Sequence, residues 1–296
     1  MPVMKYFKLK SSKIRVYGKQ GKLLLKGMVE EHTAFLHSLL TNDIKGMKES
    51  SLTYNLWLKQ NGFPVGEFYV YKVDNEYILD TPLPAQEVLE EFNRLKLSMR
   101  VYFETLDMEH VYIFGEGSRD FIKELLGFEL EEKQVVKKEN LIVARNSIRL
   151  REEGYDLMGD LSALELKAQG LSEEDVEHLR IQRLIPKLGK ELKEGFSPLE
   201  ACTLSYAISL TKGCYVGQEA IARVYYRGRL PRLLVLLEGE SLKEGQRLSD
   251  GNKEVGIITS VSPKGKFALG YVLRVRLEEE LKTEEGQRVK VLKTCE

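Results

Sequence analysis

Lys212-Gly213-Cys214-Tyr215-Val216-Gly217-Gln218-Glu219 is the stretch on which the reading of this chain turns. A thiol sits between two glycines, with a cation before it and an amide–carboxylate pair behind it. The glycines let the backbone turn tightly and let a ligand approach closely, which suits a loop that presents Cys214. The thiolate is the reactive form, and Lys212 lowers its pKa if the two groups meet. The opposing reading is a small buried hydrophobe, the usual fate of a free cysteine. Gln218 and Glu219 have side chains fit to bind a ligand or to tie the loop to the backbone, and the sequence does not separate the two roles.

Downstream, Arg223, Arg227, Arg229 and Arg232 follow with no acid from Ala220 to Leu237, and Tyr215, Tyr225 and Tyr226 are interleaved. A cationic patch beside aromatics can hold a carboxylate tail and stack a heterocycle. It can also contact RNA, or be a solvated strand with snorkelling arginines. Across 296 residues, 45 Lys and Arg balance 45 Asp and Glu. Global attraction to nucleic acid is therefore not supported, and a small anionic ligand is favoured over a long polyanion.

Cys202 and Cys295 lack the setting of Cys214 and are assigned structural places. Three widely spaced cysteines form neither a disulfide framework nor a zinc pattern, and a reducing cytoplasm is the expected location. His32 and His37 lie five apart on a helix and point to different faces, while His110 and His178 are isolated, so no metal site is expected. No apolar run is long enough to span a bilayer; Leu233 to Leu237 is among the longest. Glu67 and the acidic turn Glu152-Glu153-Gly154-Tyr155 offer carboxylates able to accept from an aminopyrimidine edge. Most such acids are exposed turn residues.

The chain length allows about two domains, placed at 1–229 and 230–296. The first part reads as α+β. Val16 and Leu23 to Leu25 read as strands, and a helix covers Glu30 to Leu40, with Asn42 as a left-handed stop. Leu52 to Leu58 and Glu67 to Val73 are strands joined through Asn61-Gly62, and Asp74-Asn75 turns into Tyr77-Ile78-Leu79. Pro84 opens a helix. The pattern then repeats: strand Val111 to Phe114, helix Ser118 to Leu126, strand Leu141 to Ala144, and a helix capped by Ser172 with Asp175 as the capping-box acid. After Pro231, short strand-like runs separated by turn residues predict a small β-barrel or sandwich.

In order along the chain, these pieces resemble the YgfZ-type folate-binding proteins, relatives of the aminomethyltransferase (T-protein) of glycine cleavage. The octapeptide looks like the family's KGC-GQE signature. Phe35 to Ile44 is similar to its "FLxxLLTND" segment, Gln60-Asn61-Gly62 to its "QG" hairpin, and Ile185 to Leu192 to its "IPxxGxEL" segment. The resemblance implies two ferredoxin-like α+β units around a central cavity plus a carboxy-terminal barrel, and a tetrahydrofolate or one-carbon-substituted folate ligand. It implies an accessory role in building or maintaining iron–sulfur proteins, including those that thiolate tRNA. Cys214 then inherits the role of functional thiol, with Lys212 as its cation. Glu152 is assigned to the pterin edge, Arg223 and Arg227 to the glutamate tail, and Tyr215, Gln218 and Glu219 to the ligand loop. A monomer without direct nucleic-acid binding is expected. The T-protein is the rival, but where it carries an Asp-Asp pair the matching positions here look like Gly66 and Glu67. An RNA-binding protein is a third alternative.

Overall fold

The computed structural model describes residues 3–19 and 29–296; the strand expected at Leu23 to Leu25 lies outside them. The chain divides into two compact units whose segments alternate in sequence. One comprises Met1–Leu58, Gly66–Gly170 and Tyr206–Val216, and the other Lys59–Val65, Leu171–Ser205 and Gly217–Glu296.

The first unit is built on β1 (Lys5–Lys8), β2 (Ser12–Gly18), α1 (Glu31–Leu39), β3 (Ser51–Leu58), β4 (Pro64–Val73), β5 (Glu76–Thr81), α2 (Ala85–Leu95) and β6 (Val101–Leu106). It continues through β7 (Glu109–Phe114), α3 (Ser118–Leu126), β8 (Val135–Lys138), β9 (Leu141–Arg145), β10 (Gly154–Gly159) and β11 (Gln169–Gly170). The strands form a five-stranded sheet in the order β3-β4-β5-β2-β6 and a six-stranded sheet in the order β11-β1-β7-β10-β9-β8.

The period-2 alternation of β4 explains how these layers stack. Phe68 and Val70 face a core with Phe35 and Leu36 of α1 and Val88 and Phe92 of α2. Tyr69, Tyr71 and Val73 face the other way, onto Val135, Ile142, Ala144 and Met158 of the second sheet. The outer face of that sheet, with Ile113, Tyr155 and Leu157, shares a core with Ile122 of α3. The first unit is thus mixed α+β, with two sheets face to face and helices outside. The β4–β5 hairpin turns through Asp74 and Asn75, both in the left-handed region at φ 55° and 57°, as a two-residue hairpin requires.

Two local expectations change. The first helix ends at Leu39, and Leu40 is already extended at φ −95°; Asn42 is not a left-handed stop. Leu40 instead bridges to Trp57, and the helix end is closed from far along the chain, as described below. The acidic turn at 152–155 is shorter than expected, because Gly154 already pairs with Phe114 as the first residue of β10.

The rest of the chain adds α4 (Glu173–Gln182), the one-turn α5 (Leu204–Ala207), α6 (Gln218–Tyr226), and six strands: β12 (Arg232–Gly239), β13 (Arg247–Ser249), β14 (Glu254–Val261), β15 (Phe267–Leu273), β16 (Leu281–Thr283) and β17 (Arg288–Thr294). Ser172 caps α4 in a capping box with Asp175, each side chain satisfying an orphan backbone N–H. The six strands close into a barrel in the order β12-β15-β14-β13-β16-β17, filled by Val235, Leu237, Leu248, Ile258, Ala268 and Val272.

Cys202 and Cys295 are not separate core residues but a disulfide, with Cα atoms 5.9 Å apart and a sequence separation of 93. The expectation of no disulfide is therefore corrected. The spacing carried no sign of it because β17 brings Cys295 back to the turn after Pro198–Ala201. The cysteine argument for a reducing compartment falls with it. Among the described residues no helix is long and apolar enough to cross a membrane, and no cluster of His, Cys, Asp or Glu has the makings of a metal site.

Candidate functional site

The thiol loop belongs to a segment, Tyr206 to Val216, that is stitched onto the end of α1 within the first unit. Thr41 donates its hydroxyl to Ala207 O at 2.6 Å, and Ser209 N donates to Thr41 O at 2.8 Å. Asn42 Nδ2 donates to Tyr206 O at 3.0 Å and to Tyr54 O at 3.1 Å. Val216 N donates to Ser38 O at 3.1 Å. Lys212 completes the join: its ammonium donates to His37 O, Leu40 O and Asn42 O at 2.6, 2.5 and 2.5 Å.

Those carbonyls lie at a helix C-terminus, where acceptors are otherwise orphaned and a cation is favoured. Burial pulls the Lys212 pKa down to about 7. The carbonyls oppose that pull, since only an ammonium has three N–H bonds to give. The geometry therefore makes Lys212 the clasp of the loop. Tyr215 is buried with its ring 4.7 Å from the Lys212 nitrogen, and burial pushes its phenol up to about 12. Held this way, Cys214 is an exposed free thiol, not a core residue.

Next to this segment lies a cluster of tyrosines. Tyr54 of β3 stands 5.0 Å from Tyr69 of β4 and 5.4 Å from Tyr206, ring to ring. Tyr54 donates to Glu67 Oε2 at 2.5 Å. The Arg149 guanidinium lies 4.1 Å over Tyr69, and that of Arg151 lies 4.3 Å over Tyr206 while donating to its hydroxyl at 2.8 Å. Arg151 takes a left-handed backbone at φ 61°, a strained state for a side chain of this size. Burial first, and Glu67 next, holds the Tyr54 phenol well above its ordinary range, and burial raises Tyr69 and Tyr206 as well. Tyr69 and Tyr206 nevertheless keep accessible surface. Glu152 is half-buried nearby and adds its charge to those that raise Tyr112.

Behind the tyrosine cluster is a buried ion network joining the two sheets. Asp156 accepts from Tyr71 at 2.6 Å, Asn146 at 2.8 Å, His110 Nε2 at 2.7 Å and Arg149 Nε at 3.0 Å. Arg149 also donates to Asp80 at 2.8 Å, and Lys13 stands 3.1 Å from the same carboxylate. Two cations and two carboxylates balance, with His110 held neutral because burial lowers its pKa. A carboxylate only accepts, so Nε2 of His110 carries the proton. Burial pushes the Asp156 carboxyl up, but Arg149 and His110 overcome it and hold the pKa at about 2.

The remaining sequence candidates lie in the second unit, on α6. Gln218 and Glu219 open that helix; Glu219 is exposed and pairs with Arg223 at 3.2 Å one turn on. Arg227 is the exposed C-cap. The strand reading of the arginine run fails for Arg223 and Arg227, which lie on this helix and its cap, while Arg232 does open a strand, β12. Gly62, left-handed at φ 85°, packs so closely that a Cβ there would lie 2.8 Å from Ala220 Cβ of α6, which explains the glycine of the "QG" hairpin. In the "IPxxGxEL" segment, buried Glu191 accepts from Arg180 at 2.6 Å and Ser260 at 2.7 Å. That motif is structural.

The sequence reading missed Tyr54, Tyr69, Tyr206, Arg149 and the Asp80–Asp156 pair. The signal available was the alternation Glu67, Tyr69, Tyr71 on one face of β4. The same alternation puts Gly66 on the opposite face, where a Cβ would meet Trp57 and Leu83 at 3.1 Å. An acid at 66 would enter an apolar core.

No family model matches the chain. The aminomethyltransferase of Alkaliphilus oremlandii (strain OhILAs) is 24% identical over 285 residues, spanning 86% of this chain and 75% of that protein. The crystal structure of glycine cleavage system aminomethyltransferase T from Bartonella henselae superposes with a TM-score of 0.80 at 16% identity, covering 98% of this chain and 85% of that one. The shared fold, with its closed carboxy-terminal barrel, and the aminomethyltransferase relatives support the T-protein superfamily. A protein of Aquifex aeolicus (strain VF5), described only as uncharacterized, is 57% identical over 136 residues, spanning 45% of this chain and 91% of that protein. The chain belongs to the same family as that Aquifex protein.

Proposed function

We propose that this chain is a tetrahydrofolate-binding accessory protein in which the tyrosine cluster receives the folate and Cys214 is the working thiol. The observation that carries this reading is the partly accessible pair Tyr69 and Tyr206, set beside Arg149 and Arg151, with Glu67 bound to Tyr54 and Glu152 half-buried next to Arg151 in the chain. The cluster fits the chemistry of a pterin. Aromatic faces stack a flat heterocycle, and carboxylates accept from an aminopyrimidine edge. The aminomethyltransferase relatives support a folate-related role. Folate supplies one-carbon chemistry when bound; the residues here bind and orient it, and Tyr206 lies on the same segment as Cys214.

An aminomethyltransferase is the less favoured reading, because Gly66 stands where an acid is expected and its surroundings are apolar. Following the octapeptide resemblance, we assign the downstream role to maintenance of iron–sulfur proteins, tRNA-thiolating enzymes included.

Calorimetric titration with tetrahydrofolate, combined with the rate of Cys214 alkylation, tests the proposal. Saturable binding that slows alkylation, and is weakened by Glu67→Gln and Tyr206→Ala, supports it; no binding refutes it. Arg223→Gln and Arg227→Gln test separately the tail-binding role expected of α6. Turnover with a lipoyl carrier in a glycine-exchange assay would overturn the accessory reading. Steeply salt-dependent tRNA binding, lost on removing Arg227 and Arg229, would favour an RNA-binding protein instead.

A further inference from the structure

The outer face of the six-stranded sheet holds a cleft of about 430 Å3, with no α3 residue in its lining. Tyr6, Val111 and Leu157 of β1, β7 and β10 form its walls. Its cover is the irregular segment 160–168, which contributes Leu161, Leu164 and Leu166. The cover is fastened at both ends. Leu161 N donates to Glu109 Oε2 at 2.9 Å, and Gln169 N donates to Met4 O at 2.9 Å. Between those points Leu164 and Leu166 are half-buried while Glu165 and Lys167 are exposed, so the apolar side of the segment faces the cleft.

Lys8 and Lys10 also line the cleft and are exposed. Among the described residues neither ammonium has a hydrogen-bond or ion-pair partner. Glu109, the one acid in the lining, is engaged with the cover. Volume and lining are those of a small-molecule site, mostly apolar with a few polar groups to fix orientation. Two unpaired cations beside an apolar channel call for an anion with a hydrocarbon tail.

We propose that this cleft binds a medium-chain fatty carboxylate, its alkyl chain under Leu161, Leu164 and Leu166 and its head group at Lys8 and Lys10. The site shares no residue with the tyrosine cluster, and the proposal does not rest on folate binding.

Calorimetry of the full chain with hexanoate, octanoate and decanoate tests it. Each added methylene tightens binding about fourfold until the cleft is full. Lys8→Gln with Lys10→Gln weakens decanoate about fivefold, and so does replacing decanoate by decanol. Leu164→Trp, which fills the cleft, abolishes binding at an unchanged melting temperature. Amide exchange across residues 162–168 slows when decanoate is present. Absence of binding by all three acids overturns the proposal. So does equal affinity for decanol and decanoate, or decanoate binding that survives in the double lysine variant undiminished.

Discussion

Replacing Arg149 by Met removes the keystone of the network between the two sheets. The guanidinium makes hydrogen bonds to Asp156 at 3.0 Å, Asp80 at 2.8 Å and Tyr71 at 3.2 Å, and its side chain is only 10% exposed. The variant leaves two buried carboxylates facing Lys13 alone. Breaking a buried pair by removing one partner costs about 3–5 kcal/mol, which is the loss expected at pH 7. The pH dependence follows from Asp156, whose folded pKa of about 2 lies below its ordinary 3.8. A depressed carboxylate stabilises above the unfolded pKa, and that stability is lost as pH falls through the folded one. Asp156 alone therefore accounts for a loss of about 2 kcal/mol between pH 4 and pH 2 in the wild type. In the variant burial, which pushes the carboxyl up, is opposed only by the hydrogen bonds from His110, Tyr71 and Asn146, so the pKa rises and protonation relieves part of the cost. The deficit must shrink between pH 7 and pH 4. Urea unfolding followed by fluorescence of Trp57, the one tryptophan of the chain, measures both quantities. Adding Asp80→Asn should recover part of the loss. A deficit below about 1 kcal/mol, or one unchanged by acidification, would refute the reasoning.

Three further outcomes are expected. Cys214→Ser should fold and melt like the wild type while losing all alkylation under native conditions, because the sulfur is exposed; a lowered melting temperature would make it core filler after all. Lys212→Met should cost about 2 kcal/mol by uncapping three carbonyls, with amide exchange quickened first between residues 206 and 216. Cys295→Ser opens a 93-residue loop and should lower stability by about 2–4 kcal/mol; an unchanged denaturation midpoint, or two free thiols at these positions in the native wild type by mass spectrometry, would remove the disulfide from the account.

What the sequence made legible was local. Ser172 and Asp175 are three residues apart, and their capping box is there. Asp74-Asn75 makes the hairpin, and the short runs after Pro231 make a barrel. What it hid was non-local. The end of α1 is decided by Lys212, more than 170 residues away, so a local stop at Asn42 had no bearing on it. The tyrosine cluster draws on β3, β4, the loop before β10 and α5, which no spacing in the sequence joins. The cysteine pair was hidden for the same reason. Motif resemblance found Cys214, Lys212 and Asn42 as separate signals; the structure shows that Lys212 and Asn42 hold the loop on which Cys214 stands.

That late clasp has a consequence for biosynthesis. Until residue 216 has left the ribosome, the end of α1 lacks the ammonium that closes it, and Tyr54 lacks the ring of Tyr206. At translation rates of about 5–20 residues per second, the end of α1 waits on the order of ten seconds or more for a stretch of chain made after the unit's own sheets. Nascent chains arrested short of that point should be the species that chaperones hold and proteases cut.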